Sequence, residues 1–193
     1  MKTLPTLLSC ALALAAAAPA VAGDSRYQVS GGLVVNQGNT VDLTGKTTGG
    51  YTLELGARFN PPGFGPEIRV YAGYAHMPSA TGTDERPTFE LSGTRLGADL
   101  VFRPWEGVPL SLHTGPSVNV WKGTQRGGDP SLYPADNHLK AGWRLGLGYD
   151  VTKDWSATLF YTFTEWRSNP NIDLATTNPS RPAYFSLMAT YRF

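Results

Sequence analysis

The sequence predicts an all-β protein, a transmembrane up-and-down antiparallel β-barrel of eight strands. Three observations lead there. Side chains alternate in character with a period of two over most of the chain, which is the signature of strands. Short and long connections alternate with each other. One face of the predicted strands is aromatic and aliphatic, whereas the other carries glycines, hydroxyls and charges. After Gly23 no apolar run approaches the roughly 20 residues a membrane helix needs, so any crossing must be made by strands.

The elements are expected near residues 25–36, 49–60, 66–76, 88–102, 109–121, 138–150, 154–166 and 182–193. In "GYTLELGARF", Tyr51, Leu53, Leu55, Ala57 and Phe59 share one side, opposite Thr52, Glu54, Gly56 and Arg58. In "HLKAGWRLGLGYD", Leu139, Ala141, Trp143, Leu145, Leu147 and Tyr149 face away from Lys140, Gly142, Arg144, Gly146 and Gly148. The final "PAYFSLMATYRF" sets Phe185, Leu187, Ala189, Tyr191 and Phe193 against Tyr184, Ser186, Met188, Thr190 and Arg192. Each segment has roughly the length of a tilted membrane strand.

Three connections are tight: "PPGFGP" (61–66), "PWEGV" (104–108) and "TKD" (152–154). Four are long and polar, over 37–48, 77–87, 122–137 and 167–181. Their glycine, proline, asparagine and aspartate content marks them as irregular. Such sorting places all the tight turns at one end of a meander.

The facing of the sheet decides its class. A soluble barrel, such as a lipocalin, would turn the apolar side inward. A glycine-rich, charged interior makes sense if the apolar face looks into lipid. Strands in lipid must pair every backbone group, so the sheet has to close, the last strand against the first. Eight strands leave an interior that side chains can just fill. Tyr27, Phe59, Phe102, Trp105, Trp155 and Phe193 should form an aromatic girdle at the short-turn end, with Tyr51, Tyr74 and Trp166 at the other.

The N-terminal "MKTLPTLLSCALALAAAAPAVAG" has the layout of a secretory signal peptide: Lys2, an apolar stretch and a small-residue site. Cleavage is expected after Ala22, dividing the chain into a signal peptide (1–22) and a barrel domain (23–193). Cys10 lies within the segment to be removed and too early in it for lipidation, so no disulfide is expected. Without Lys2, the 15 remaining basic residues match the 15 acidic ones. No basic tract points to nucleic acid.

These features resemble the small eight-stranded outer-membrane barrels, the OmpA-like transmembrane domains and opacity-type porins. The resemblance rests on the signal peptide, on "LGLGYDVTKDWSATLFYTF" and on the terminal "MATYRF". It implies a Gram-negative outer-membrane protein with its short turns in the periplasm. It also implies that the last strand, through Phe185, Leu187, Tyr191 and Phe193, is the signal read by the outer-membrane assembly machinery. The other expected contacts are outer-membrane lipid and lipopolysaccharide, and a monomer is expected.

By strand parity Glu54, Arg58, Glu67, Arg69, Arg95, Asp99, Lys140 and Arg144 face inward, three acids against five bases. Buried charges must be paired, so these should form an ion-paired lumen. Its role is structural, or else that of a narrow pore favouring anions. Outer-membrane lipid A deacylases use a His–x–Ser pair on a strand. Here the residue two after His113 is Gly115, and parity turns His113 inward. Ser111 and Ser117 are near, but no acid on that strand could orient the imidazole. No enzyme activity is expected, and an interior histidine satisfied by its neighbours is the simpler reading. Neither the Asp136/His138 pair nor His76 makes a metal site, and no cofactor is expected. The glycines of 123–130 lack the spacing of a phosphate loop. Arg126, Tyr133 and Arg181 mark loops that either bind a surface partner or simply cap the barrel.

Overall fold

The computed structural model describes residues 26–37, 49–79, 88–126, 139–164 and 183–193. Eight strands form one sheet: β1 (Arg26–Gln37), β2 (Gly49–Phe59), β3 (Glu67–Met77), β4 (Thr88–Phe102), β5 (Leu110–Arg126), β6 (Leu139–Asp150), β7 (Trp155–Thr164) and β8 (Ala183–Arg192). Each pairs antiparallel with the next, and β8 returns to β1, so the sheet is a closed barrel. The closing seam runs from Gln28↔Arg192 to Gln37↔Ala183. It is fastened by the Phe193 N–H donating to the Tyr27 carbonyl at 3.0 Å and by Ser30 Oγ lying 2.8 Å from Thr190 Oγ1. Over the length the strands share, closure pairs every strand on both sides; β4 and β5 project past their outer neighbours as a two-stranded ribbon at the long-loop end.

The tight turns follow from their residues. Gly63 (φ 75°) and Gly65 (φ 86°) bend the β2–β3 turn, and Gly107 (φ 76°) bends β4–β5. All three sit in the left-handed region that side-chain-bearing residues rarely adopt. In the β6–β7 turn the Thr152 hydroxyl accepts from the Asp154 N–H at 3.2 Å and the Trp155 N–H at 3.0 Å. A side-chain oxygen thus satisfies backbone donors the sheet cannot reach.

The sheet faces as its alternation requires. Leu145, Leu147, Leu159 and Leu187 are 46–57% exposed on the outside. Arg58 and Arg144, by contrast, are 6% and 1% exposed. Apolar side chains therefore coat the exterior and charges fill the middle, the reverse of a soluble barrel.

Two expectations need correction. β5 runs on to Arg126 rather than ending near 121, because β4 begins at Thr88 and stays paired with it as far as Thr88↔Arg126. The loop-like "GTQR" is strand because its partner continues alongside. The interior is also not polar throughout: Val34, Ala75, Met77, Leu91, Trp121 and Tyr184 pack together inside the barrel near the long-loop end. Strand parity points them inward, and only closure reveals that they meet. The segment expected to be the signal peptide, the aromatic Trp166 and the loop residues Tyr133, Asp136, His138 and Arg181 lie outside the described residues.

Candidate functional site: the barrel lumen

The inward positions of the eight strands stack in layers between the two ends. In the middle layer β2 contributes Glu54, β3 Arg69, β4 Arg95 and Asp99, and β6 Arg144, all of them buried. Glu54 receives three guanidinium groups: Arg69 Nη2 at 2.6 Å, Arg95 Nη2 at 2.6 Å and Arg144 Nη1 at 2.7 Å. Asp99 accepts from Arg144 at both oxygens, from Nε at 2.8 Å and from Nη2 at 2.5 Å. Arg69 adds a longer contact to Asp99 at 3.3 Å. Two carboxylates thus hold three arginines, and each shared oxygen offsets part of the cost of taking these charges out of water.

Arg144 is also packed over two aromatic rings. Its Cζ lies 3.5 Å from the ring centroid of Tyr71 and 4.2 Å from that of Phe160. Guanidinium planes stack well on aromatic faces, and desolvation strengthens the attraction. Two glycines make room for these rings. A Cβ at Gly97 would stand 2.3 Å from the Tyr71 hydroxyl, and one at Gly146 would stand 2.5 Å from the Phe160 ring. The glycines that make the inward face look bland in sequence are where neighbouring side chains cross.

Arg95 links this layer to the apolar one. It donates to the Tyr184 hydroxyl and to Thr52 Oγ1 at 2.8 Å. Tyr184 in turn meets Trp121 edge-on, with centroids 6.1 Å apart. On the side formed by β7, β8 and β1 the lumen is lined by smaller polar groups, among them Ser156, Thr158, Thr162, Ser186 and Ser30.

At the short-turn end a second, more exposed network forms. Arg58 pairs with Glu67 at 3.2 Å, and Glu67 is also bound by Arg103. Arg103 continues to Asp150 at 3.2 Å, and Asp150 to Arg192 at 2.9 Å. Partial burial works against the charge on Arg103, but Glu67 and Asp150 outweigh it and hold the guanidinium above the ordinary arginine value.

Of the eight expected lumen charges, five converge in the middle layer and Arg58 and Glu67 join below. Lys140 takes an inward register position near the long-loop end, opposite Asn119. Sequence reasoning missed Arg103, Asp150 and Arg192. The alternation of the last strand already placed Arg192 inward; Arg103 sits in a turn, where parity gives no guide. Among the girdle residues, Trp155 lies tilted against Tyr191 with centroids 5.0 Å apart, and Tyr27 stacks near Phe193 at 6.3 Å. Phe102 and Trp105 are exposed and Phe59 is half-buried. Phe185, Leu187, Tyr191 and Phe193 all point outward and are exposed.

His113 is inward and 3% exposed, against Phe160. Its Nε2 lies 2.9 Å from Ser111 Oγ. Nδ1 has no hydrogen-bond partner among the described residues, and no carboxylate orients the ring. Nucleophile and base are thus in contact without the third group that such pairs use, and they face the interior rather than lipid.

A closed antiparallel sheet, apolar outside and ion-paired inside, defines a transmembrane β-barrel of the outer-membrane type. The chain belongs to the outer membrane protein beta-barrel domain family, whose sequence model matches residues 6–193. That membership sets it among outer-membrane proteins. Solved structures agree on the fold. Neisserial surface protein A is 13% identical with a TM-score of 0.54, over 88% of this chain and 97% of that one. Ail, the attachment invasion locus protein of Yersinia pestis, solved with the heparin analogue sucrose octasulfate, is 14% identical with a TM-score of 0.54, over 89% and 100%. The outer membrane enzyme PagL is 16% identical with a TM-score of 0.54, over 86% and 98%. At such identities the likeness is one of fold. No curated protein matches the chain by sequence.

Proposed function

We infer that this protein is a monomeric structural barrel of the outer membrane whose lumen is closed, rather than an open pore or an enzyme. The observation that carries this reading is Arg144, packed over Tyr71 and Phe160, tied to Asp99 two strands away and to Glu54 on the opposite wall of the barrel. An interior held together this way is a side-chain plug. The apolar layer above it adds a second barrier to ions. The exposed aromatic and aliphatic exterior supports contact with outer-membrane lipid and lipopolysaccharide. The outward Phe185, Leu187, Tyr191 and Phe193 support recognition of the last strand by the assembly machinery. Export through a signal peptide over residues 1–22 and periplasmic short turns complete the reading. The inward position of His113 speaks against turnover of a membrane lipid.

Conductance tests it. The native chain reconstituted in planar bilayers should show no discrete single-channel steps. Arg144→Ala, verified as folded by its shift on unheated gels, should show steps that the native chain lacks. Regular steps from the native chain would overturn the closed lumen.

A further inference from the structure

The short-turn mouth of the barrel carries an open depression. A solvent-open pocket of about 650 Å³ lies between the β4–β5 and β6–β7 turns, lined also by Arg26 at the start of β1 and Arg192 at the end of β8. Its volume lies within the range of small-molecule sites. Four cations line it, Arg26, Arg103, Lys153 and Arg192, against two carboxylates, Glu106 and Asp150.

The charges are not equally engaged. Asp150 is occupied by Arg103 and Arg192. Arg26 and Lys153 make no ion pair with any described residue, so their charge is available. Arg192 is 6% exposed, and its Nε–H has no hydrogen-bond partner among the described residues. Trp105, 55% exposed, offers an indole to the same space. Positive charge is therefore gathered in a concave site beyond what its own carboxylates neutralise. Low-dielectric walls focus such a field and concentrate anions.

We propose that this mouth is a binding site for a small soluble polyanion bearing phosphate or carboxylate groups. Arg26 and Lys153 supply the free charge, Arg192 a fixed donor at the floor, and Trp105 a flat wall. Its cations come from the inward-facing ends of β1 and β8 and from the turns rather than from the apolar outer face, which favours a dissolved anion over a phospholipid headgroup. The inference does not depend on whether the lumen conducts.

The test uses the full exported chain in zwitterionic detergent, titrated calorimetrically at constant ionic strength with inorganic pyrophosphate and, separately, with citrate. At least one should bind saturably at one site per chain. The double variant Arg26→Gln/Lys153→Gln, which breaks no ion pair among the described residues, should weaken that binding at least tenfold while keeping the native gel shift. Glu106→Gln should tighten it several-fold. No saturable binding of either probe, or equal binding by the double variant, would overturn the proposal. So would binding confined to micelles doped with phosphatidylglycerol, since that would make the occupant a lipid headgroup.

Discussion

Arg144 on β6 grips both oxygens of Asp99 on β4 inside the lumen, with Nε 2.8 Å from Oδ1 and Nη2 2.5 Å from Oδ2. The two strands are separated by β5, so the pair spans a neighbour rather than bracing adjacent strands. Both residues are essentially dry. A contact of this kind ties the barrel wall together from within.

Removing the guanidinium should therefore be costly. Arg144→Ala leaves Asp99 with only the longer contact from Arg69 and strips Glu54 of one of three partners. Breaking a buried pair from one side costs about 3–5 kcal/mol. Urea unfolding in detergent micelles, followed by tryptophan fluorescence, should show that loss. Arg144→Lys should recover only part of it, because an ammonium keeps the charge but neither forks onto a carboxylate nor stacks on rings. Unchanged stability in both variants would show that the plug contributes nothing to the fold.

Gly97→Ala tests the glycine that lets Tyr71 lie across β4. The added methyl would sit 2.3 Å from the Tyr71 hydroxyl and 2.8 Å from the Pro116 carbonyl oxygen, and the latter is backbone that cannot step aside. Overpacking of this sort costs about 1–3 kcal/mol. The same unfolding measurement should register it, and Tyr71→Phe in the Gly97→Ala background should relieve part of the strain.

The outward face can be tested with a charge. Leu145 is 51% exposed at mid-strand on the exterior. Leu145→Arg should destabilise the barrel in a bilayer by about 2–4 kcal/mol, the cost of a cation near the lipid midplane. A neutral effect in lipid vesicles would mean that this face does not contact hydrocarbon.

Ser111 and His113 give the enzymatic alternative its own experiment. His113→Ala is expected to leave the processing of labelled lipid A at the level of empty membranes, as for the native chain. Hydrolysis by the native protein that disappears in the variant would overturn the structural reading. Loss of the imidazole should instead appear as a modest drop in stability, since His113 packs on Phe160 beside Arg144.

How much of this was legible in sequence depends on the range of the interaction. Period-two alternation assigned the faces of β2, β6 and β8 residue by residue, because parity along a strand is a local geometric fact. Two of the three tight turns announced themselves through glycine and proline, and the third, "TKD", through the break in alternation between two strands. Parity also delivered Glu54, Arg69, Arg95, Asp99 and Arg144 as inward charges, and it turned His113 inward. It could not say which of them would touch. Glu54 and Arg144 are 90 residues apart in the chain, and their meeting depends on the register of every strand between them.

The amino-acid order alone thus determined that this chain makes a sheet and that its oily side looks outward, since both follow from alternation between neighbouring residues; closure then follows because strands in lipid must pair every backbone group. Only the tertiary structure decided that Val34, Met77, Leu91 and Trp121 gather into an apolar layer inside, that Tyr71 and Phe160 pack against Arg144, and that four cations meet at one mouth. The reason is physical: closing a barrel sets the stagger of all eight strands at once, and that stagger chooses which inward side chains share a level.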